Sequence, residues 1–170
     1  MASKLQHTVS YPFSTARLWA IYTTEKYWHD LVERMNSGHG HVEKVTIAGD
    51  TVTVEIQQGI PADKLPSAVT KVMPGDLRIP RKNTYRLVGD RIEGGGETHA
   101  TVDGAPVPVD VTGTTLTAGD PATTDNRAEV TVNLPLFGGK IEKSVVSELS
   151  ALLDAERGHT VEWESENPLT

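Results

Sequence analysis

Most of the chain between residues 39 and 134 alternates apolar with polar side chains, and beyond residue 138 the period lengthens to that of a helix. A period of two marks a strand covered on one face; a period near 3.6 marks a helix covered along one stripe. Alternating runs occupy 39–48, 51–58, 76–88, 91–102, 107–117 and 127–134, and an earlier one spans 4–11. Gly49-Asp50, Gly89-Asp90 and Asp103-Gly104-Ala105-Pro106 separate neighbouring runs. Turns this short join antiparallel strands, and glycine at the first central position suits the type II′ hairpin. Pro61 to Met73 is a longer connection with room for a helical turn, and Ala118 to Asp125 reads as a loop.

Two short helices fit between the first two strands. Pro12 ends the first strand, and Ser14 is placed to cap a helix over Ala16 to Tyr22. A second helix runs from about Glu25 with Tyr27, Trp28, Leu31, Val32 and Met35 at helical spacing, and stops at Asn36-Ser37-Gly38. The C-terminal helix follows Gly138-Gly139 and reaches about Arg157, roughly 28 Å at 1.5 Å per residue. Ile141, Val145, Val146, Leu149, Leu152 and Leu153 form its apolar arc, Gly158 reads as its end, and the tail after Trp163 reads as frayed. Gly94-Gly95-Gly96 lies inside a strand and permits a bulge or a sharp bend.

Composition removes several classes of chemistry. With 170 residues and no cysteine, the chain suits a single domain that needs no disulfide and has no thiolate metal site or thiol nucleophile. The net charge of -7, with no overriding basic cluster, argues against nucleic acid and anionic membrane as partners. No apolar run is long enough for a signal peptide or a membrane span, so the expectation is a cytoplasmic protein without stable membrane insertion, a monomer or weak homodimer.

This element order resembles the START-like superfamily, also called SRPBCC or helix-grip. The residues that carry the resemblance are Tyr11-Pro12 with Ala16-Arg17-Leu18-Trp19, Tyr27-Trp28, Gly59-Ile60-Pro61, Met73-Pro74-Gly75-Asp76-Leu77, and the stretch from Val132 to Lys143 through Pro135-Leu136-Phe137-Gly138-Gly139-Lys140. Together they resemble a mainly actinobacterial branch known as domain of unknown function 2505. The resemblance implies an α+β helix-grip fold: a curved antiparallel seven-stranded sheet around the long helix, two short helices between strands 1 and 2, and a cavity within. The domain would span 1–170 with a core of about 4–163. Relatives in the superfamily bind or carry lipids, polyketides or hormones, and some are cyclases. The branch supplies no catalytic motif.

Candidate chemistry is sparse. Gly138-Gly139-Lys140 fails as a phosphate loop, because Leu134 stands where the first glycine belongs and Ile141 where Ser or Thr would hold magnesium. The glycines serve better to swing the chain from the last strand into the helix. His39, His41 and Glu43 share a strand face with the spacing of metal ligands, yet no fourth ligand is evident and an exposed polar edge accounts for them. No nucleophile elbow, H-E-x-x-H or G-x-G-x-x-G occurs. Neither a catalytic set, a metal nor a cofactor is expected.

Polar residues in apolar register are more informative, because a buried polar group needs a partner and a ligand's polar end can supply one. His7 lies between Leu5 and Val9, Arg81 and Asn83 between Ile79 and Tyr85, and Glu142 in the arc of the last helix. Each also has a plain structural role: a bonded core histidine, an arginine turned outward by a bulge at Pro80, an acid in a first helical turn. With the inward wall they give a ligand-contact set of His7, Val9, Tyr11, Trp28, Val54, Ile56, Ile79, Arg81, Asn83, Tyr85, Val109, Val130, Val132, Glu142, Val145 and Leu149. Trp28 is the expected lid. The function expected is binding or carriage of a hydrophobic small molecule, lipid-like or polyketide-like. The alternatives are a cyclase, aromatase or hydrolase using His7, Arg81 and Glu142, and an interaction or chaperone-partner module with a small cavity and an exposed apolar patch.

Overall fold

The computed structural model describes residues 2–35, 40–64, 67–72, 74–102, 105–133, 136 and 138–168. Seven strands follow in chain order: β1 (Ala2–Ser10), β2 (His41–Ala48), β3 (Thr51–Ile60), β4 (Leu77–Val88), β5 (Arg91–Val102), β6 (Ala105–Ala118) and β7 (Thr123–Val132). Helices α1 (Thr15–Tyr22) and α2 (Glu25–Met35) lie between β1 and β2, α3 (Ser67–Val72) between β3 and β4, and α4 (Gly138–Glu166) follows β7. The strands form one antiparallel sheet in the order β1-β7-β6-β5-β4-β3-β2. Only β1 departs from sequence order; it pairs with β7. The α+β helix-grip arrangement expected from the sequence is the one observed.

Local chemistry explains the joints. The Arg17 amide donates to the Ser14 hydroxyl at 3.1 Å, the expected N-cap. Gly49 and Gly89 take positive φ at their hairpin turns, a conformation that L side chains resist. Gly138 must be glycine for another reason: a Cβ there would stand 2.5 Å from the Val132 carbonyl oxygen.

The two faces of the sheet differ in kind. The outer face carries a cross-strand row, Lys4, Glu129, Thr112, Glu97, Lys82, Glu55 and Lys44, in which carboxylates sit next to lysines or threonine. Such rows support pairing and tolerate water. The inner face carries Val52, Val54 and Ile56 of β3, Leu77 and Tyr85 of β4, Ile92 of β5, Val109 of β6, and Val130 and Val132 of β7, all buried.

Strand ends differ from the sequence expectation by a few residues, β6 for instance starting at Ala105 inside the expected turn, and three differences matter more. Gly94-Gly95-Gly96 introduces no bulge; the register of β4 with β5 runs straight through it. Those glycines make room instead, since a Cβ on Gly94 would meet Thr115 Oγ1 at 2.5 Å and Tyr85 Cδ1 at 2.7 Å, and one on Gly96 would meet the Lys82 carbonyl at 2.5 Å. β7 begins at Thr123, inside the expected loop, because Thr123 to Asn126 pair with Ser10 to His7. Helix α4 runs through Gly158 to Glu166, about 43 Å for its 29 residues. Its last turns are held by α1 and α2: Tyr27 and Thr160 hydroxyls meet at 2.8 Å, Trp163 Nε1 donates to Asp30 Oδ2 at 2.8 Å, and Arg17 Nε donates to Glu164 at 3.3 Å. These bonds outweigh the modest penalty of one helical glycine.

Candidate functional site

Helix α4 meets β1 and β7 at its start, β1 again through Asp154 and Arg157, and α2 at its end, while its inward stripe in between stands off the middle of the sheet. At the start, the Glu142 carboxylate accepts from the Ser3 hydroxyl at 2.8 Å and the Val132 amide at 3.1 Å. Those bonds, Ser3 first, hold its acidity stronger than that of a free glutamate. Between these ends Val145, Val146, Leu149, Leu152 and Leu153 are only half buried: Val145, Val146 and Leu149 pack on the aliphatic cluster of the sheet, and Val145, Leu149, Leu152 and Leu153 line open space beside it. The space is a cavity of about 640 Å³ between α4 and the inner sheet face. That falls within the range of small-molecule sites.

Its walls divide into two ends. Leu77, Ile79, Val109, Val111, Ile141, Val145 and Leu149 make an aliphatic end. Tyr11, Tyr22, Tyr85, Asn83, Asn126, Thr115, Thr124 and Glu156 bring polar atoms to the same cavity. Burial raises the Tyr11 phenol well above its ordinary range, and the Glu156 charge adds to the effect. Burial lifts Tyr85 to about 12, with Glu156 again adding and Arg81 partly opposing. These phenols therefore stay protonated at neutral pH, and along the wall Tyr11 bonds Tyr22, Tyr85 bonds Asn83, and Thr124 bonds Thr117.

Arg81 reaches the cavity wall from β4, since no bulge at Pro80 turns it outward. Its Nη1 donates to Gln58 Oε1 at 3.0 Å. Gln58 is itself 5 % exposed, so the pair is set into the wall and does not wave in solvent.

The sequence-derived contact residues separate into three groups. Val9, Tyr11, Ile79, Arg81, Asn83, Tyr85, Val109, Val145 and Leu149 line the cavity. Val54, Ile56, Val130 and Val132 are buried in the inner sheet face behind that lining. His7 bonds Asp154 of α4 at 2.6 Å, which draws it to the outer side of the helix. Glu142 is 3 % exposed and occupied by Ser3 and Val132. Trp28 is no lid: it is 1 % exposed, donates from Nε1 to the Tyr22 carbonyl at 2.9 Å and stacks on Tyr85 with centroids 5.6 Å apart. His7, Arg81 and Glu142 thus do not converge on one point. His39 of the His39-His41-Glu43 set lies outside the described residues; His41 and Glu43 are exposed and bond each other at 2.7 Å.

Glu156 is the residue that the sequence reading missed. The inward stripe of α4 is Ile141, Val145, Leu149, Leu152, Glu156, Thr160 and Trp163, and Glu156 is its cavity-facing acid. The signal was present in the spacing. Carrying the stripe past Gly158 to Trp163 places Glu156 on it.

The matches with known proteins agree with this architecture. The family described as protein of unknown function DUF2505 matches residues 6–163. The chain belongs to that family. It is 24% identical over 176 residues to the uncharacterized protein Rv0481c of Mycobacterium tuberculosis, covering 98% of this chain and 99% of that one. Among solved structures it is similar to TTHA0849 from Thermus thermophilus, with a TM-score of 0.52 and 12% identity over 94% of this chain and 98% of that one. It is also similar to Ara h 8.0201, with a TM-score of 0.50 and 9% identity over 95% of this chain and 99% of that one. At these identities the two structures speak for the START-like fold of this DUF2505 member and for nothing finer. Among the described residues no helix is long and apolar enough to cross a membrane.

Proposed function

We propose that this DUF2505 protein binds or carries a hydrophobic small molecule in the cavity under α4. The observation that carries the proposal is the stand-off of α4: a helix pinned at both ends leaves about 640 Å³ walled mainly by aliphatic and aromatic side chains. A folded core normally fills such a space, because every unfilled wall loses dispersion contacts. A ligand restores them. The fold supports the proposal without choosing the ligand.

The rivals have less support. His7 and Glu142, two of the three residues that an acid–base enzyme would have used, are engaged by Asp154, Ser3 and Val132. An interaction module would carry a broad apolar patch, whereas the large exposed apolar residues among those described, Ile47, Leu116 and Leu136, are scattered over β2, β6 and the turn before α4.

The test is titration with Nile red, a neutral apolar dye, together with native mass spectrometry of protein purified from its own host. The expected outcome is one dye per chain, displaced by whatever host molecule co-purifies, and loss of dye binding in Leu149→Trp with the fold retained. Absence of saturable dye binding, with no adduct in the host-derived protein, would overturn the proposal.

A further inference from the structure

We propose that the ligand is an amphiphile with an acidic end, carboxylate or phosphate, and that Arg81 anchors that end. This inference rests on the carrier reading above.

Arg81 differs from the other arginines of the cavity wall in what it touches. Arg34 pairs with Glu166 and Arg127 with Asp125. Arg81 donates to the neutral amide of Gln58, and among the described residues no carboxylate forms an ion pair with it. A buried amide fixes the direction of a guanidinium but does not neutralise its charge. The remaining N–H groups of a guanidinium form a planar fork that fits two oxygens of a carboxylate or phosphate. On β4 the inward residue preceding Arg81 is Ile79, and Val111 and Leu149 line the same cavity, so an acidic end at the guanidinium leaves an aliphatic wall for the tail.

Glu156 also faces the cavity without a hydrogen bond to its carboxylate among the described residues, and it would favour a cationic ligand. The two charges are not equivalent. The Glu156 carboxylate shares its wall with Tyr11, Tyr22 and Tyr85, and phenol hydroxyls of the protein itself can satisfy a carboxylate. The protein offers Arg81 only the neutral Gln58 oxygen, so Arg81 is the group with which an acidic end of a ligand would pair. The chain carries a net charge of -7, and a fixed cation facing its cavity runs against that balance.

The experiment is displacement of Nile red by four probes with the same tail: dodecanoate, dodecyl phosphate, dodecanol and dodecylamine. At least one acid should displace the dye at a concentration about 10- to 100-fold below dodecanol, the worth of hydrogen bonds to a charged group. Comparing the two acids identifies which head the site takes. Arg81→Gln should bring the acids to parity with dodecanol, and an unchanged far-UV circular dichroism spectrum and unfolding midpoint show that the variant is folded. Arg81→Lys should keep part of the preference, since the charge remains and the fork does not. Parity of acids and alcohol in the wild-type protein overturns the inference and leaves the carrier reading standing. So does dodecylamine binding tightest with that preference lost in Glu156→Gln. Failure of Nile red itself removes both.

Discussion

The two halves of the interior, one beneath α2 and one beneath the middle of α4, are built from the same sheet face and packed in opposite ways. Beneath α2, Trp28 lies against Tyr22, Tyr27 and Tyr85 with ring centroids 4.9–5.6 Å apart, and Leu18, Ile21, Val52 and Val54 are fully buried around them. Beneath α4, the aliphatic cluster of Leu77, Val109, Val130, Val132 and Ile141 meets a helix whose facing residues are half exposed to a void. The difference teaches where stability and function reside. Aromatic rings with satisfied N–H and O–H groups give the first half the density of a core. The second half forgoes that density and keeps a space.

Paired truncations test this contrast most severely. Trp28→Ala should cost about 3–5 kcal/mol of unfolding free energy in chemical denaturation. Leu149→Ala should cost under about 1 kcal/mol, because much of that side chain already faces void. Equal costs would show that α4 packs as tightly as α2. Enlargement gives the reverse contrast. Val54→Phe should cost about 1–3 kcal/mol by overpacking, whereas Leu149→Phe should be near neutral or stabilising while weakening dye uptake. A destabilised Leu149→Phe would mean that the cavity is narrower than described.

A separate effect lies at high pH. Burial raises all four tyrosines, Tyr11, Tyr22, Tyr27 and Tyr85, the last from 10.0 to about 12. A phenol whose acidity is weakened in the fold lends stability that is complete below the unfolded pKa of about 10 and is lost as pH rises towards the folded value. Between about 10 and 12 the unfolded chain binds fewer protons than the folded one, so stability should fall there. The phenolate absorbance should appear together with unfolding. An earlier phenolate signal from intact protein would place at least one of these rings in water.

Alternation and short glycine turns were enough to read the sheet, the two short helices and the placement of Arg81, Asn83 and Tyr85 on the inner face. They did not reveal which residues a neighbour would claim. His7 and Glu142 are in apolar register, yet Asp154 and Ser3 engage them across 147 and 139 positions of sequence. Trp28 has helical spacing on an aromatic-rich helix, and spacing gives no sign of whether such a face packs inward or rims an opening. Gly158 looked like a stop because local propensity favours one, and tertiary bonds from Thr160 and Trp163 overrode it. Thr123 to Asn126 are polar on both faces, so no period could separate them from a loop; Asn126 Nδ2 donates to the His7 carbonyl at 3.1 Å, and the Thr117 and Thr124 hydroxyls meet at 2.6 Å.

The anchoring of α4 has a mechanical consequence. Between Glu142, bonded to β1 and β7, and Asp154, bonded to His7, the helix crosses about 18 Å as a beam fixed at both supports. A beam held so can bow at mid-span but cannot swing about one end. A guest that needs more room should therefore bend Val145 to Leu152 outward and leave both supports in place, and the resistance to that bending would set how large a guest the protein admits.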